Sequence, residues 1–146
     1  MAIPSALDTL IELATQQTDE AAKRLGRAIR NGEDAEQKLQ LLLQYRDDYM
    51  ARFQTTLQAG LSASSYRNFQ HFIDKLDEAI KGQQRVVQDA QRRVTRERGA
   101  WQDSERKRMS YDTLATRAEK VRQLKETRRD QKQTDEFAAR LLFNKR

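Results

Sequence analysis

The chain has 146 residues, of which 37% are hydrophobic and 34% charged, with a formal net charge of +6. That balance is too polar for a large globular core and suits a narrow seam between helices. There are no cysteines, which removes disulfide and thiolate chemistry and points towards a reducing compartment.

In chain order, the first signal is Ser5, placed to accept a hydrogen bond from the amide of Asp8 as a helix N-cap, with Asp8 suited to the positive end of the helix dipole. A seam of small or apolar residues then steps alternately by four and three, as a heptad requires. It runs Leu7, Ile11, Ala14, Thr18, Ala21, Leu25, Ala28, Gly32, Ala35, Leu39, Leu42, Arg46, Tyr49, Phe53 and Thr56. Its middle is built from small residues, so two backbones can approach closely there. Gly32 costs roughly 1 kcal/mol against alanine in a helix interior, which suggests a bend or a close contact.

The stretch 59–65 reads as the only turn. Gly60 supplies a left-handed residue after the first helix, and Ser62, Ser64 and Ser65 all offer caps for the second. A second seam follows through Phe69, Ile73, Leu76, Ile80, Gln83, Val87, Ala90, Val94, Glu97 and Trp101. It weakens at Ser104 and Arg108. The pattern resumes in a different phase at Leu114, Ala118, Val121 and Lys125, which predicts a register shift.

The expected fold is therefore all-α: two long helices in an antiparallel coiled-coil hairpin, helix two longer than helix one. It occupies residues 1–146 as one unit, with helix one at about 5–58, the turn at about 59–65 and helix two at about 66–140. At about 1.5 Å per residue the helices are roughly 80 and 115 Å long. Helix one runs out near residue 120, leaving the last twenty or so residues of helix two as an overhang.

The chemistry of catalysis is not visible. His71 has no carboxylate or cysteine cluster around it, and the five glycines are scattered rather than gathered into a phosphate loop. The pairs Asp47-Asp48 and Glu33-Asp34 are adjacent on a helix, so they diverge, whereas a metal or acid/base site needs facing carboxylates. No enzyme, metal or cofactor is expected. The opening Met-Ala-Ile-Pro lacks the pattern of a secretory signal, and no run of about 18 apolar residues is present to span a membrane. A cytoplasmic location is expected.

Two surface features stand out. Residues 92–132 hold fourteen bases and seven acids, whereas residues 1–60 hold seven bases and nine acids. Such a basic stripe suits nucleic acid, an acidic protein or a membrane surface, or is simply a solvated face. The aromatics lie mostly elsewhere, so base stacking is poorly supported and no nucleic-acid partner is expected. Six of the ten aromatics fall between residues 45 and 72. Leu42, Tyr45 and Tyr49 share one helical face, as do Phe72, Leu76 and Ala79. A two-helix seam can bury only part of this set. The surplus either thickens the tip of the hairpin or forms a partner surface, since aromatics on a rigid helix give contact area at low entropic cost.

Three blocks carry a family resemblance: Leu7-Asp8-Thr9-Leu10 through Ala21-Ala22-Lys23-Arg24-Leu25-Gly26, then Asn68 through Ile80, then Arg129-Asp130-Gln131-Lys132 with Asp135-Glu136-Phe137-Ala138. On these the chain resembles the FliJ family of the flagellar type III export apparatus, over its whole length. The resemblance implies an antiparallel coiled coil that looks like the central shaft of rotary ATPases. It implies binding to the export ATPase FliI near the pore of its ring, to the export gate protein FlhA, and to flagellar export chaperones. The gate-binding positions it carries over are Leu42, Tyr45, Tyr49, Phe72, Leu76 and Ala79, with departures nearby at Lys38, which can be Gln, and Gln83, where a histidine can occur. On the ATPase side it points to Arg129, Asp130, Gln131, Lys132, Asp135, Glu136 and Phe137. The implied role is a rod-like adaptor and general chaperone, peripherally associated with the inner face of the cell membrane at the flagellar base. A monomeric hairpin is expected. The alternative is a passive coiled-coil scaffold or dimerisation module.

Overall fold

The computed structural model describes residues 5–145; residues 1–4, including Pro4, and residue 146 lie outside the description. Helix α1 spans Ala6–Ala59 and helix α2 spans Ala63–Asn144. The fold class is all-α, with α2 the longer helix.

Local chemistry sets the ends. Ser5 Oγ accepts from the Asp8 amide at 3.2 Å, and Asp8 Oδ2 accepts from the Ser5 amide at 3.2 Å. The two side chains thus satisfy two orphan donors reciprocally, a capping box with aspartate in the third position. At the other end Gly60 takes φ +99°, a conformation that glycine reaches without steric cost. The link is only residues 60–62, shorter than the expected 59–65. Of the three candidate caps, Ser62 is the one used: its Oγ accepts from the Ser65 amide at 3.2 Å. Ala63, Ser64 and Ser65 therefore form the first turn of α2.

The described chain divides into two compact units. The first to consider is Asp19–Gln102, which contains the turn. Here α1 and α2 pair antiparallel, and three polar links fix the register. Arg46 Nε donates to Asp77 Oδ1 at 2.6 Å, Gln83 Nε2 donates to the Ala35 carbonyl at 2.8 Å, and Arg24 meets Glu97 at 3.5 Å. Arg46, Gln83 and Glu97 are the polar positions that interrupt the apolar seam, and each has a partner across it. Polar seam residues of this kind specify register, because any slip strands them.

Packing in this unit is graded. Next to the turn, Phe69, Ile73, Leu76 and Ile80 form the buried cluster, with Leu39, Leu42, Leu43, Tyr49, Met50, Phe53 and Phe72 packed against it. Fully burying one such side chain contributes about 1.5–3 kcal/mol. Further from the turn the α1 side is alanine: Ala21, Ala28 and Ala35 are buried. A Cβ built on Gly32 would lie 3.9 Å from Val94 Cγ2 and 4.0 Å from Ala90 Cβ. That is ordinary contact, so Gly32 is not required for the approach of the helices, and α1 passes through it unbroken.

The other unit combines the start of α1, up to Thr18, with α2 from Asp103 onward. Ala14 and Thr18 are buried, and the Thr18 hydroxyl is satisfied by the Ala14 carbonyl at 2.9 Å. On α2 the half-buried positions are Ser104, Glu105, Arg108, Tyr111, Asp112 and Ala115. The stripe thus continues in its original phase through 104, 108, 111 and 115. The expected shift to Leu114, Ala118, Val121 and Lys125 does not occur, since all four are exposed. Polar residues at 104 and 108 hide the continuity. Arg108 is accommodated because Glu105 and Asp112 on its own helix hold its guanidinium. Beyond Ala115 every described residue is exposed, while α2 remains helical to Asn144.

Candidate partner-binding surface

The seam places large rings from both helices beside the turn, and they interlock. Phe53 and Phe69 stack with centroids 3.5 Å apart, and Tyr49 stacks on Phe69 at 5.3 Å. Phe72 lies 4.4 Å from Tyr49, and Tyr45 meets Phe72 edge-on at 6.1 Å. At the opposite end Tyr66 tilts against Phe53 at 5.9 Å. The result is a continuous row of rings, buried at Phe69 and exposed at both ends, where Tyr45 is 51% and Tyr66 45% accessible. Offset and edge-to-face pairs such as Tyr49–Phe69 and Tyr45–Phe72 contribute about 0.5–1.5 kcal/mol each beyond area burial, so the exposed rings are held by better-buried ones.

The expected gate-side residues separate by role. Tyr45, Tyr49 and Phe72 come together as one ring group. Leu42 is half-buried against the core cluster. Ala79 is exposed two turns beyond Phe72. Leu76 is a core residue, 7% exposed, and offers a partner almost no surface. It reads as part of the face by spacing, but the heptad turns it into the seam.

Two features of this region do not stand out in the sequence. One is the Arg46–Asp77 pair beside the rings. Asp77 is held below the usual carboxylate range, chiefly by the hydrogen bond from Arg46, and Arg46 is correspondingly raised, chiefly by the bond to Asp77. The signal is a lone arginine at a seam position, which demands an acid across the seam. The other is a shallow groove of about 180 Å³ at the turn, floored by Phe53 and Phe69 and closed by Leu61 and Ser65. Nothing in the sequence marks it, because its lining comes from α1, from Leu61 of the link and from the start of α2.

The residues expected on the ATPase side lie in the other unit. Arg129, Asp130, Gln131, Lys132, Asp135, Glu136 and Phe137 are all exposed on α2. Gln131 Nε2 donates to Asp135 Oδ1 at 3.3 Å, and Phe137 is 64% accessible. Among the described residues, no group of three or more His, Cys, Asp or Glu is placed to hold a metal ion. No helix among them is long and apolar enough to cross a membrane.

Comparison with known proteins decides the family. A family model described as Flagellar FliJ protein matches residues 4–146. The chain belongs to the flagellar FliJ protein family. Among its FliJ relatives, the Flagellar FliJ protein of Salmonella typhi is 32% identical over 145 residues, covering 99% of both chains. The Flagellar FliJ protein of Escherichia coli (strain K12) is 31% identical over 145 residues, again covering 99% of both. The FliJ likeness therefore takes in both the ring cluster at the turn and the exposed part of α2.

Proposed function

We propose that this chain works in the flagellar type III export apparatus as a rod-like adaptor and general chaperone. It links the export ATPase ring (FliI) to the export gate (FlhA) and cycles flagellar export chaperones, at the inner face of the cell membrane. Membership of the FliJ family supports the flagellar role. The observation that carries the adaptor reading is the presence of two exposed surfaces of unlike chemistry in different units. One is the ring row ending at Tyr45, and the other is the charged, fully exposed stretch of α2 that includes Arg129 to Phe137. An adaptor needs two such surfaces, and a zipper that merely dimerises needs one uniform seam.

In this reading Tyr45, Tyr49 and Phe72 supply the contact with the gate, helped at the margins by Leu42 and Ala79, while Leu76 supports them from below. The stretch from Arg129 to Phe137 supplies the contact with the ATPase. The test is a pull-down of the purified chain against FliI and against the cytoplasmic domain of FlhA, with a Tyr45→Ala/Phe72→Ala variant alongside. The expected result is that the parent chain is captured by both proteins. The variant should still be captured by FliI, should no longer be captured by FlhA, and should keep its helicity. Capture by neither would overturn the adaptor reading in favour of a passive coiled-coil scaffold.

A further inference from the structure

We propose, resting on the gate reading above, that the groove beside the turn docks an acidic segment of the gate protein: the groove takes one aliphatic side chain, and Arg52 takes a neighbouring carboxylate. Lys38, Tyr45 and Arg52 recur every seven residues on α1, the repeat that keeps residues on one side of a coiled-coil seam. Contacts with α2 agree with that placement. Arg52 and Ser65 line one groove, Tyr45 meets Phe72, and Lys38 and Val86 line another groove. The ring-bearing flank is therefore cationic. On the opposite flank of the same stretch, at 36, 43, 50 and 57 on α1 and 70, 77 and 84 on α2, the only charged residues are the acids Glu36 and Asp77.

The two ends of the cationic flank are not equivalent. Towards Lys38 the groove is also edged by Asp34 and Asp89, so its charge is mixed. Towards the turn, the groove of about 180 Å³ has no acid in its lining, and Arg52 is its one charged residue. Among the described residues Arg52 makes no ion pair, even with Asp48 one turn before it on α1. The Thr56 hydroxyl, on the same rim, is spent within its own helix, donating to the Arg52 carbonyl at 2.9 Å. Ser65 Oγ accepts from Ser62 Oγ at 2.9 Å. The guanidinium thus remains available to an external carboxylate, which it can hold by two parallel hydrogen bonds.

Size and continuity select the occupant. A shallow groove of this volume, floored by Phe53 and Phe69, suits a single aliphatic side chain. Tyr49 and Phe69 line it and also belong to the ring row, so a partner lying on Tyr45 and Phe72 reaches it without a break. Arg52 lies about 10 Å along α1 from Tyr45, within the footprint of one docked segment. An apolar pocket with an arginine at its edge has the composition of binding hot spots. A nucleic acid brings anions but no aliphatic side chain to fill the groove.

The test is binding of full-chain variants to the cytoplasmic domain of FlhA, read as binding curves. Arg52→Gln removes the charge and keeps a good helix former. It is expected to bind on the order of tenfold more weakly, with a shallower dependence on added salt than the parent. Arg52→Lys keeps the charge and should retain most of the affinity. Thr56→Phe fills the groove with a ring of the chain's own and should weaken binding on the order of tenfold. Arg30→Gln removes an exposed cation from the outer side of α1 and should change binding by less than about twofold. Circular dichroism and the urea midpoint of each variant check that the fold is kept. Parent-like binding by Arg52→Gln or by Thr56→Phe, or equal weakening by Arg30→Gln, overturns the docking site and leaves the gate reading standing. No binding of the parent chain overturns both.

Discussion

Leu76 separates support from contact at the ring cluster. It lies 7% exposed among Phe69, Ile73 and Ile80, and truncation to alanine removes three carbons from that cluster. A buried Leu→Ala change costs about 2–5 kcal/mol, rising with the cavity left behind. Here the neighbours Leu39, Leu42 and Phe72 are only half-buried and can relax inward, which places the cost near about 2–3 kcal/mol. With an m-value of about 1–3 kcal/mol/M in urea, the midpoint should fall by roughly 1 M. Tyr45→Ala makes the useful contrast, because that ring is half in water, meeting Phe72 edge-on at 6.1 Å and stacking on Tyr49 at 6.4 Å. Its cost should be about 1 kcal/mol or less. Both variants are measured by urea unfolding followed by far-ultraviolet circular dichroism, in parallel with capture of FlhA. Leu76→Ala should show the large shift in midpoint and keep whatever gate capture its folded fraction allows. Tyr45→Ala should show the reverse. If Leu76→Ala unfolds within about 0.5 kcal/mol of the parent yet abolishes capture, the division into support and contact is wrong.

Other expectations follow from the same geometry. Gly32→Ala adds a Cβ at ordinary contact distance from Ala90 and Val94 and should raise stability by about 0.5–1 kcal/mol in the same urea assay. Gly60→Ala forces an L side chain into φ +99° and should lower stability by roughly 1–2 kcal/mol. Asp77, Glu105 and Glu119 are all held below their ordinary values, chiefly by hydrogen bonds from Arg46, Arg108 and Arg122 respectively. A depressed carboxylate contributes stability that is present above its unfolded pKa and lost as pH falls through the folded one. Thermal unfolding measured from neutral pH downward should therefore show stability falling once pH drops below about 4, and Asp77→Asn should shallow that fall. An unfolding temperature that rises on acidification would contradict these pairings.

The helices are legible because their signals are local. Ser5, Gly60 and Ser62 act within four residues of themselves, and the seam positions from Leu7 to Phe53 and from Phe69 to Trp101 are all buried or half-buried. Thr56, in the last turn of α1, is the exception and is exposed. The stripe past Trp101 misleads for a physical reason. Pattern reading expects apolar residues in a seam, yet Ser104 and Arg108 sit at its edge, and Arg108 is satisfied within its own helix. The exposed apolar run at Leu114, Ala118 and Val121 then resembles the seam's continuation. In the site, spacing identifies the ring-bearing faces but not their depth. Leu76 belongs at once to the seam and to the face it shares with Phe72, four residues away, and the packing settles it as core while Phe72 stays half-buried.

The gradation along the seam explains why the ring surface lies beside the turn. Where α1 contributes alanine, at Ala21, Ala28 and Ala35, small side chains suffice to close the seam and little apolar surface is left over. Near the turn the same heptad positions carry Leu42, Tyr49 and Phe53 against Phe69 and Leu76. Rings of that size overfill a line contact between two helices, so the excess at Tyr45, Phe72 and Tyr66 is pushed to the flanks. Exposed rings of this kind are costly to keep free in water, yet here Tyr45 and Phe72 lean on Tyr49, which itself stacks on Phe69, and Tyr66 tilts against Phe53. An aromatic held rigid before a partner arrives loses little entropy on binding. The structure thus places its largest side chains where they anchor the seam from inside and present a preorganised edge outside. That is why Tyr45 and Phe72, rather than the better-buried Leu76, are the residues whose removal should be felt by a partner first.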